Sequence, residues 1–194
     1  MSNMSKKIND ISKVVEKIIA QNQNIHDSWC DVFGWAPTEA ADLLAKSRLD
    51  RQVSLSHCLT IWLDKPAEDY MEGCLVLAWV NLGSLVESTM KFFLSVFLMD
   101  YLKDPAQRYN KDIAPDELQL ENLRQYFLKQ NIWMNQDKNR WDQWVQHIQQ
   151  RRNAIHTYKD RQIGTFDEFW EDLRQYLEFL NELECRLPSP YPDI

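Results

Sequence analysis

The eight residues from Arg151 to Tyr158 bring together side chains that can act on a single anion. They read Arg-Arg-Asn-Ala-Ile-His-Thr-Tyr and include two guanidinium groups, a carboxamide, an imidazole and a phenol. Arginine binds phosphate through paired hydrogen bonds, and histidine transfers protons near neutral pH. We therefore hypothesise that this segment can cleave a phosphodiester without a metal ion.

The segment closes an amphipathic helix that the sequence predicts over residues 137–158. At about 100° per residue, Arg151 and Arg152 lie about 60° and 40° to either side of Ile148, and His156 lies about 80° from it. Both arginines thus border the buried stripe, which is costly unless an anionic or carbonyl group is near. We expect the stripe to open onto a groove or a second subunit. Its apolar members are Trp141, Trp144 and Ile148.

Neighbouring side chains add hydrogen-bond donors, and a simpler role for the segment stays open. Asn153, Tyr158 and Lys159 are candidate supporting residues. Arginine and histidine near a helix C-terminus are also favoured by the helix dipole alone, by about 0.3–1 kcal/mol each. The other histidines lack comparable neighbours in the sequence, and we interpret them as structural or exposed: His26, His57 and His147.

Charge is unevenly distributed along the 194 residues, whose formal net charge is −7. Residues 138–161 hold six basic and two acidic side chains, a net charge of +4, so the rest of the chain carries −11. One basic region on an acidic body suits a localised anionic ligand, although a solvated polar face explains it equally well. The overall balance argues against a general nucleic-acid coat and favours a soluble cytoplasmic protein.

Metal, cofactor and membrane sites are not expected. The four cysteines form no CxxC pair and no histidine stands at zinc spacing, so we expect reduced and mostly buried thiols. The N-terminus lacks the apolar region of a signal peptide. The apolar run 75–99 is long enough to cross a bilayer, but polar residues interrupt it. It therefore favours a central buried helix over a membrane span.

The sequence predicts an all-α fold. There are four glycines and no Asn-Gly or Asp-Gly turn dipeptides, and apolar residues recur at helical spacing. Residues 67–187 are expected to form a four-helix up-down bundle, residues 1–66 an N-terminal helical extension, and residues 188–194 an extended proline-rich tail. Asp116 is the expected N-cap of the second bundle helix, and Thr165 with Glu168 forms a capping box on the last. The bundle helices are predicted at 67–102, 116–129, 137–158 and 165–187.

Arg151, four intervening residues, His156 and then Tyr158 resemble the R-x4-6-H signature of HEPN domains, in the form seen in HEPN toxins. The run 81–94 is also similar to the first helix of many such domains, and the likeness covers residues 67–187. It implies a metal-independent endoribonuclease of toxin–antitoxin or phage-defence systems, with no cofactor. Two copies would face each other, with Arg151 polarising the RNA phosphate and His156 transferring protons. Arg152, Asn153 and Lys159 would support RNA binding, and Tyr158 matches a position that an antitoxin can nucleotidylate.

One departure from the family pattern concerns the two arginines. Many members carry a polar residue such as asparagine directly after the motif arginine, whereas Asn153 follows Arg152 here. Family spacing favours Arg151, and ideal helix geometry favours Arg152. We take Arg151 as the motif residue with Arg152 in support.

A non-catalytic function is the alternative. An acidic helical bundle also suits a binding or scaffold module, or a regulatory module such as an antitoxin or immunity protein.

Overall fold

The computed structural model describes residues 3–133 and 138–189. The protein is mostly helical, with 71% helix and 2% strand, which confirms the all-α prediction. The helices are α1 (Asn3–Trp29), α2 (Thr38–Lys46), α3 (Leu49–Cys58), α4 (Met71–Val96), α5 (Leu98–Tyr101), α6 (Leu120–Lys129), α7 (Lys138–Arg152) and α8 (Phe166–Glu184).

Helix α4 lies at the centre of the fold. It packs against α2, α3, α6, α7 and α8, while α1 packs against α3 and α8. Fourteen of its 26 residues are buried. A helix that is apolar nearly all round is stable only when neighbours cover most of its faces, and this is the environment that the surrounding helices provide.

The same helix passes a length and composition test for crossing a membrane. The stretch Glu68–Val96 has the required hydropathy, and 56% of its most apolar window is buried inside the protein. The buried central helix of a globular protein can have the same length and the same hydropathy. The burial agrees with the expected central helix.

Polar residues inside α4 hold neighbouring segments in place. Asn81 accepts a hydrogen bond from Nε1 of Trp62 at 3.0 Å and donates to the carbonyl of Leu55 at 3.0 Å. Thr89 Oγ1 lies 3.1 Å from the hydroxyl of Tyr176, and burial raises the pKa of that phenol well above its ordinary value. The two buried polar residues Asn81 and Thr89 are therefore hydrogen-bonded within the core, as buried polar groups must be.

The N-terminal helices share their core with the rest of the chain. One cluster of buried apolar side chains extends from Ile11 on α1 to Leu183 on α8. The division at residue 66 stays a prediction. Of the tail 188–194, residues 190–194 lie outside the described residues, as does residue 137, the predicted start of the third bundle helix.

Several helix ends differ from the sequence predictions. The helix expected over 67–102 begins at Met71, after a 3₁₀ turn at Glu68–Tyr70, and ends at Val96. Phe97, with φ −94° and ψ 33°, separates it from α5. The prediction of Asp116 as an N-cap is wrong, because Asp116 lies in a 3₁₀ turn, Pro115–Glu117, and α6 begins at Leu120. In contrast, the capping box of Thr165 and Glu168 is confirmed.

The structure also differs from the sequence predictions in a short hairpin and in the exposure of the cysteines. A short antiparallel hairpin pairs β1 (Gln107–Arg108) with β2 (Lys111–Asp112). Its turn residues, Tyr109 and Asn110, both have positive φ, the geometry that tight hairpins need, without the glycine that signals it. The cysteines are free, as expected, but two of the four are exposed and the others half-buried, so the expectation of mostly buried thiols is wrong.

Candidate functional site

Helix α7 ends six residues earlier than the sequence predicted. Its last residue is Arg152, and a 3₁₀ turn at Asn153–Ile155 follows. His156 then leaves helical geometry with φ −81° and ψ 75°. The extrapolated angle of His156, which assumed a regular helix to Tyr158, is therefore wrong.

Arg152 is held by an ion pair on the central helix. Its guanidinium pairs with Glu87 of α4, which also pairs with Lys91 at 2.9 Å. Burial alone would raise the pKa of Glu87, but hydrogen bonds from Lys91 and Arg152 outweigh it and lower that pKa below its ordinary value. Arg152 thus has its anionic partner within the same chain.

Gly83 of α4 allows α7 to approach this closely. A Cβ atom at Gly83 would lie 2.7 Å from Cδ and 2.9 Å from Cβ of Arg152, well inside van der Waals contact. The expected groove beside Arg152 is therefore filled by α4 itself.

Arg151 points to the other side of α7, toward α8. Its side chain is 12% exposed, and its Nη2 atom lies 3.9 Å from Oε1 of Glu168. The guanidinium carbon lies 5.8 Å from the ring centre of Trp79. Nη1 is buried and has no hydrogen-bond partner in the part of the chain that the structure describes. Arg151 therefore keeps unused donor capacity at its guanidinium.

The loop between α7 and α8 is fixed beside Arg151. Nε1 of Trp79 donates to the carbonyl of Ile163 at 2.7 Å. Gly164 has φ +71°, and a Cβ atom there would lie 3.0 Å from Nη2 of Arg151. A glycine is needed at this position both for its backbone conformation and for room beside the guanidinium.

The remaining predicted site residues are presented to solvent. His156, Tyr158 and Lys159 are exposed, whereas Asn153 is half-buried. No hydrogen bond to the His156 imidazole occurs within residues 3–133 and 138–189, and Tyr158 is fully exposed. Arg151 and Arg152 thus face two different helices, and His156 lies on an exposed loop beyond both.

A histidine that the sequence did not single out has an ordered acidic partner. His147 Nε2 lies 2.9 Å from Oδ2 of Asp172 on α8, whose Oδ1 accepts a hydrogen bond from Nε1 of Trp144 at 2.8 Å. Asp172 is buried at 5% exposure. The His147 ring also meets Trp79 edge to face, with ring centres 5.9 Å apart. His147, which the sequence interprets as structural or exposed, thus has a carboxylate partner and a side chain that is 37% exposed.

Two open clefts meet at His147. The first, of about 470 Å³, is lined by His147, Gln150, Arg151, Arg161 and Gln162. The second, of about 540 Å³, shares His147 with the first. It is lined by Arg140, Gln143, Trp144, His147, Glu168, Glu171, Asp172 and Gln175. The first cleft combines two guanidinium groups, two carboxamides and an imidazole with no carboxylate, a composition that suits a phosphate or another oxyanion.

No known family model matches the chain, and neither a curated protein nor a solved structure is significantly similar to it.

Proposed function

We propose that the protein is a metal-independent endoribonuclease of the HEPN type, acting in the cytoplasm in a toxin–antitoxin or phage-defence system. Arg151 binds and polarises the scissile phosphate, and His156 transfers a proton in the reaction. Arg152, Asn153, Tyr158 and Lys159 support the site. Attack by the RNA 2′-OH leaves one product with a 2′,3′-cyclic phosphate and the other with a 5′-OH.

The observation that carries this proposal is the exposure of His156, five residues after Arg151, whose guanidinium has a donor that is unpaired among the described residues. Residues 155–161 are all exposed and include His156, Lys159 and Arg161 against one acidic residue, Asp160. A loop of this composition is accessible to a polyanion and is attracted to it. The proton-transfer group, His156, thus shares one exposed loop with the cationic side chains of Lys159 and Arg161.

A composite site formed by two copies of the chain would account for the different orientations of Arg151 and His156 within one copy. Within one chain, the Arg151 guanidinium is turned toward Trp79 and α8, whereas His156 lies in the exposed loop. Ile155 is 42% exposed and Tyr158 fully so, which provides apolar contact area beside the histidine. Homodimerisation through this loop would cover that area and bring Arg151 of one copy toward His156 of the other.

The test is cleavage of single-stranded RNA by the purified protein in EDTA. Because general acid–base catalysis contributes about 10²–10⁴-fold, His156→Ala is expected to lower kcat by about 100-fold or more. His57→Ala, which removes an exposed histidine on α3, is the matched control and is expected to match the wild type. The proposal fails if the wild type cuts no RNA, or if His156→Ala cuts as well as the wild type.

A non-catalytic binding or regulatory module is the second candidate function. It is favoured by the Arg152–Glu87 ion pair and by the lack of a described group that orients the His156 imidazole. Light scattering and co-expression separate the two. A strict monomer, with wild type and His156→Ala equally harmless to the host, supports the module, whereas toxicity that depends on His156 supports the nuclease.

A further inference from the structure

The pairing of His147 with Asp172 defines which ring nitrogen is free. A carboxylate only accepts hydrogen bonds, so Nε2 of His147 donates its proton to Oδ2 of Asp172. In the neutral ring, the lone pair is then on Nδ1. Asp172 is itself fixed by the indole N–H of Trp144, and the edge-to-face contact with Trp79 sets the plane of the ring. His147 is thus a positioned imidazole with one basic nitrogen.

The ring of His147 is accessible from the arginine-lined cleft. Its side chain is 37% exposed, and it lines the cleft of about 470 Å³ together with Arg151 and Arg161. Arg151 follows His147 by four residues on α7, so the two side chains lie on the same helix face. Arg161 is exposed and forms no ion pair with any described residue.

The charged groups around His147 favour an anion in this cleft. Asp172 is engaged by two hydrogen bonds, and the other carboxylates near the ring, Glu168 and Glu171, line the second cleft together with Arg140. Glu168 also lies 3.9 Å from Nη2 of Arg151, so one carboxylate stands against the two guanidinium groups of the first cleft, whose lining stays net cationic.

We propose that this cleft binds the RNA phosphate through Arg151 and Arg161, and that His147, positioned by Asp172, is the base that accepts the 2′-OH proton. The chemical step rests on the proposed endoribonuclease function, whereas phosphate binding does not. In the same proposal, His156 makes the second proton transfer, to the leaving oxygen.

The proposed step is balanced without a further reactant. The 2′-O–H bond breaks and its proton goes to Nδ1 of His147, while a new bond forms between O2′ and phosphorus. The bond between phosphorus and O5′ breaks, and its electron pair stays on O5′, which takes a proton from the His156 imidazolium. The products are a 2′,3′-cyclic phosphate and a 5′-OH, and the arginines stabilise the negative charge that develops on the phosphoryl oxygens.

The first test measures binding of inorganic phosphate by isothermal titration calorimetry, without reference to activity. Arg151→Gln and Arg161→Gln are each expected to weaken binding by about tenfold, since each removes a charge-assisted contact. Arg108→Gln, which alters an exposed arginine at the hairpin, is the matched control and should bind like the wild type. Absence of binding to the wild type, or equal loss in all three variants, would overturn the site.

The second test uses RNA cleavage and chemical rescue. His147→Gln keeps an N–H donor for Asp172 but cannot accept a proton, and it is expected to lower kcat by about 100-fold or more. His147→Ala should lose as much, and free imidazole should restore its activity by roughly tenfold or more, because the base is replaced in the vacated space. A merely structural role for His147 would give no rescue and would leave His147→Gln nearly active.

The variant Asp172→Asn tests the positioning role. An amide can present its NH₂ group to Nε2, which would favour the tautomer with the proton on Nδ1 and remove the base. We expect a fall in kcat with little change in KM. The two proposals fail in different ways. A wild type that binds phosphate but cuts no RNA ends the proposed function, whereas a wild type whose cleavage is insensitive to His147→Gln ends only this inference.

Discussion

Replacing Gly83 by alanine tests how closely α4 and α7 approach each other at the candidate site. The added Cβ would lie 2.7 Å from Cδ, 3.0 Å from Cγ and 2.9 Å from Cβ of Arg152. A rotamer change can move the first two atoms away, but Cβ is fixed to the backbone. The substitution therefore forces α7 to shift away from α4.

Two opposing terms set the expected magnitude. Overpacking a closely packed contact costs about 1–3 kcal/mol, while alanine gains up to about 1 kcal/mol over glycine in helix propensity. With the full gain in propensity, we expect a net loss of about 0–2 kcal/mol in the free energy of unfolding, with about 1 kcal/mol as the central value. For a chain of this size that corresponds to a fall in Tm of about 2–4 °C per kcal/mol.

Gly73, in the first turn of the same helix, is the matched control. It is exposed and a Cβ atom there meets nothing within 4 Å. Gly73→Ala should therefore keep the propensity gain and stabilise the protein by up to about 1 kcal/mol. Urea unfolding of both variants measures the difference. If Gly83→Ala is as stable as Gly73→Ala, the close contact between the two helices does not exist as described.

Three further predictions concern buried polar groups and one helix end. Because the folded-state pKa of Glu87 is lowered, the Glu87 carboxylate stabilises the fold above its ordinary pKa, and this stabilisation is lost as the pH falls through the folded-state pKa. Glu87→Gln should therefore lower the Tm near pH 7 and make the Tm fall less steeply in acid, as measured by thermal unfolding between pH 3 and 7. Thr165→Ala removes a capping box and is expected to lower the free energy of unfolding by about 0.5–2 kcal/mol in a urea titration, whereas no loss would mean that the cap does not form. Asn81→Ala leaves the indole N–H of Trp62 and the carbonyl of Leu55 without their partner, and a loss of about 2–4 kcal/mol is expected from two unsatisfied groups; an unchanged Tm would contradict these hydrogen bonds.

The sequence predicts the helices well because their main signal is local. Apolar residues at three- and four-residue spacing mark the buried face of a helix whatever it packs against, and Thr165 with Glu168 marks a helix start through hydrogen bonds between close neighbours. Other ends are set by tertiary structure. The break at Phe97 and the late start of α6 have no strong local signal in the sequence. Asp116 has a side chain that can cap a helix, but it does not lie at the N-cap position of an α-helix.

In the candidate site, too, tertiary contacts decide features that local sequence patterns do not predict. Helical spacing places Arg151 and Arg152 on the two borders of the buried stripe, and the structure agrees, since one faces α8 and the other faces α4. Which carboxylates meet them depends on how the helices pair, and a single sequence does not encode that pairing in any short pattern. The partners are therefore found only in the folded chain.

Two residues of the site carry signals that were available in the sequence. Gly83 is a glycine in the middle of a long apolar helix, which costs about 1 kcal/mol relative to alanine and usually marks a close approach. Asp172 stands three residues after Phe169 and four before Tyr176, on the inward face of α8, where an acidic side chain needs a partner. His147 was missed because that partner lies 25 residues away in the chain.

The different surroundings of the two arginines favour Arg151 over Arg152 as the residue that binds phosphate in the proposed function. Arg152 shares a carboxylate that is only 17% exposed with a lysine, and releasing it would leave the partly buried Glu87 with reduced compensation. Arg151 faces a carboxylate 3.9 Å away whose side chain is 53% exposed, a geometry worth at most about 1 kcal/mol. A phosphate that accepts charge-assisted hydrogen bonds, each worth about 1.5–3 kcal/mol, can therefore compete successfully for its guanidinium. Arg151, which the resemblance to HEPN domains selects by its spacing from His156, is thus also the arginine whose present contacts are weak enough to be exchanged for a ligand.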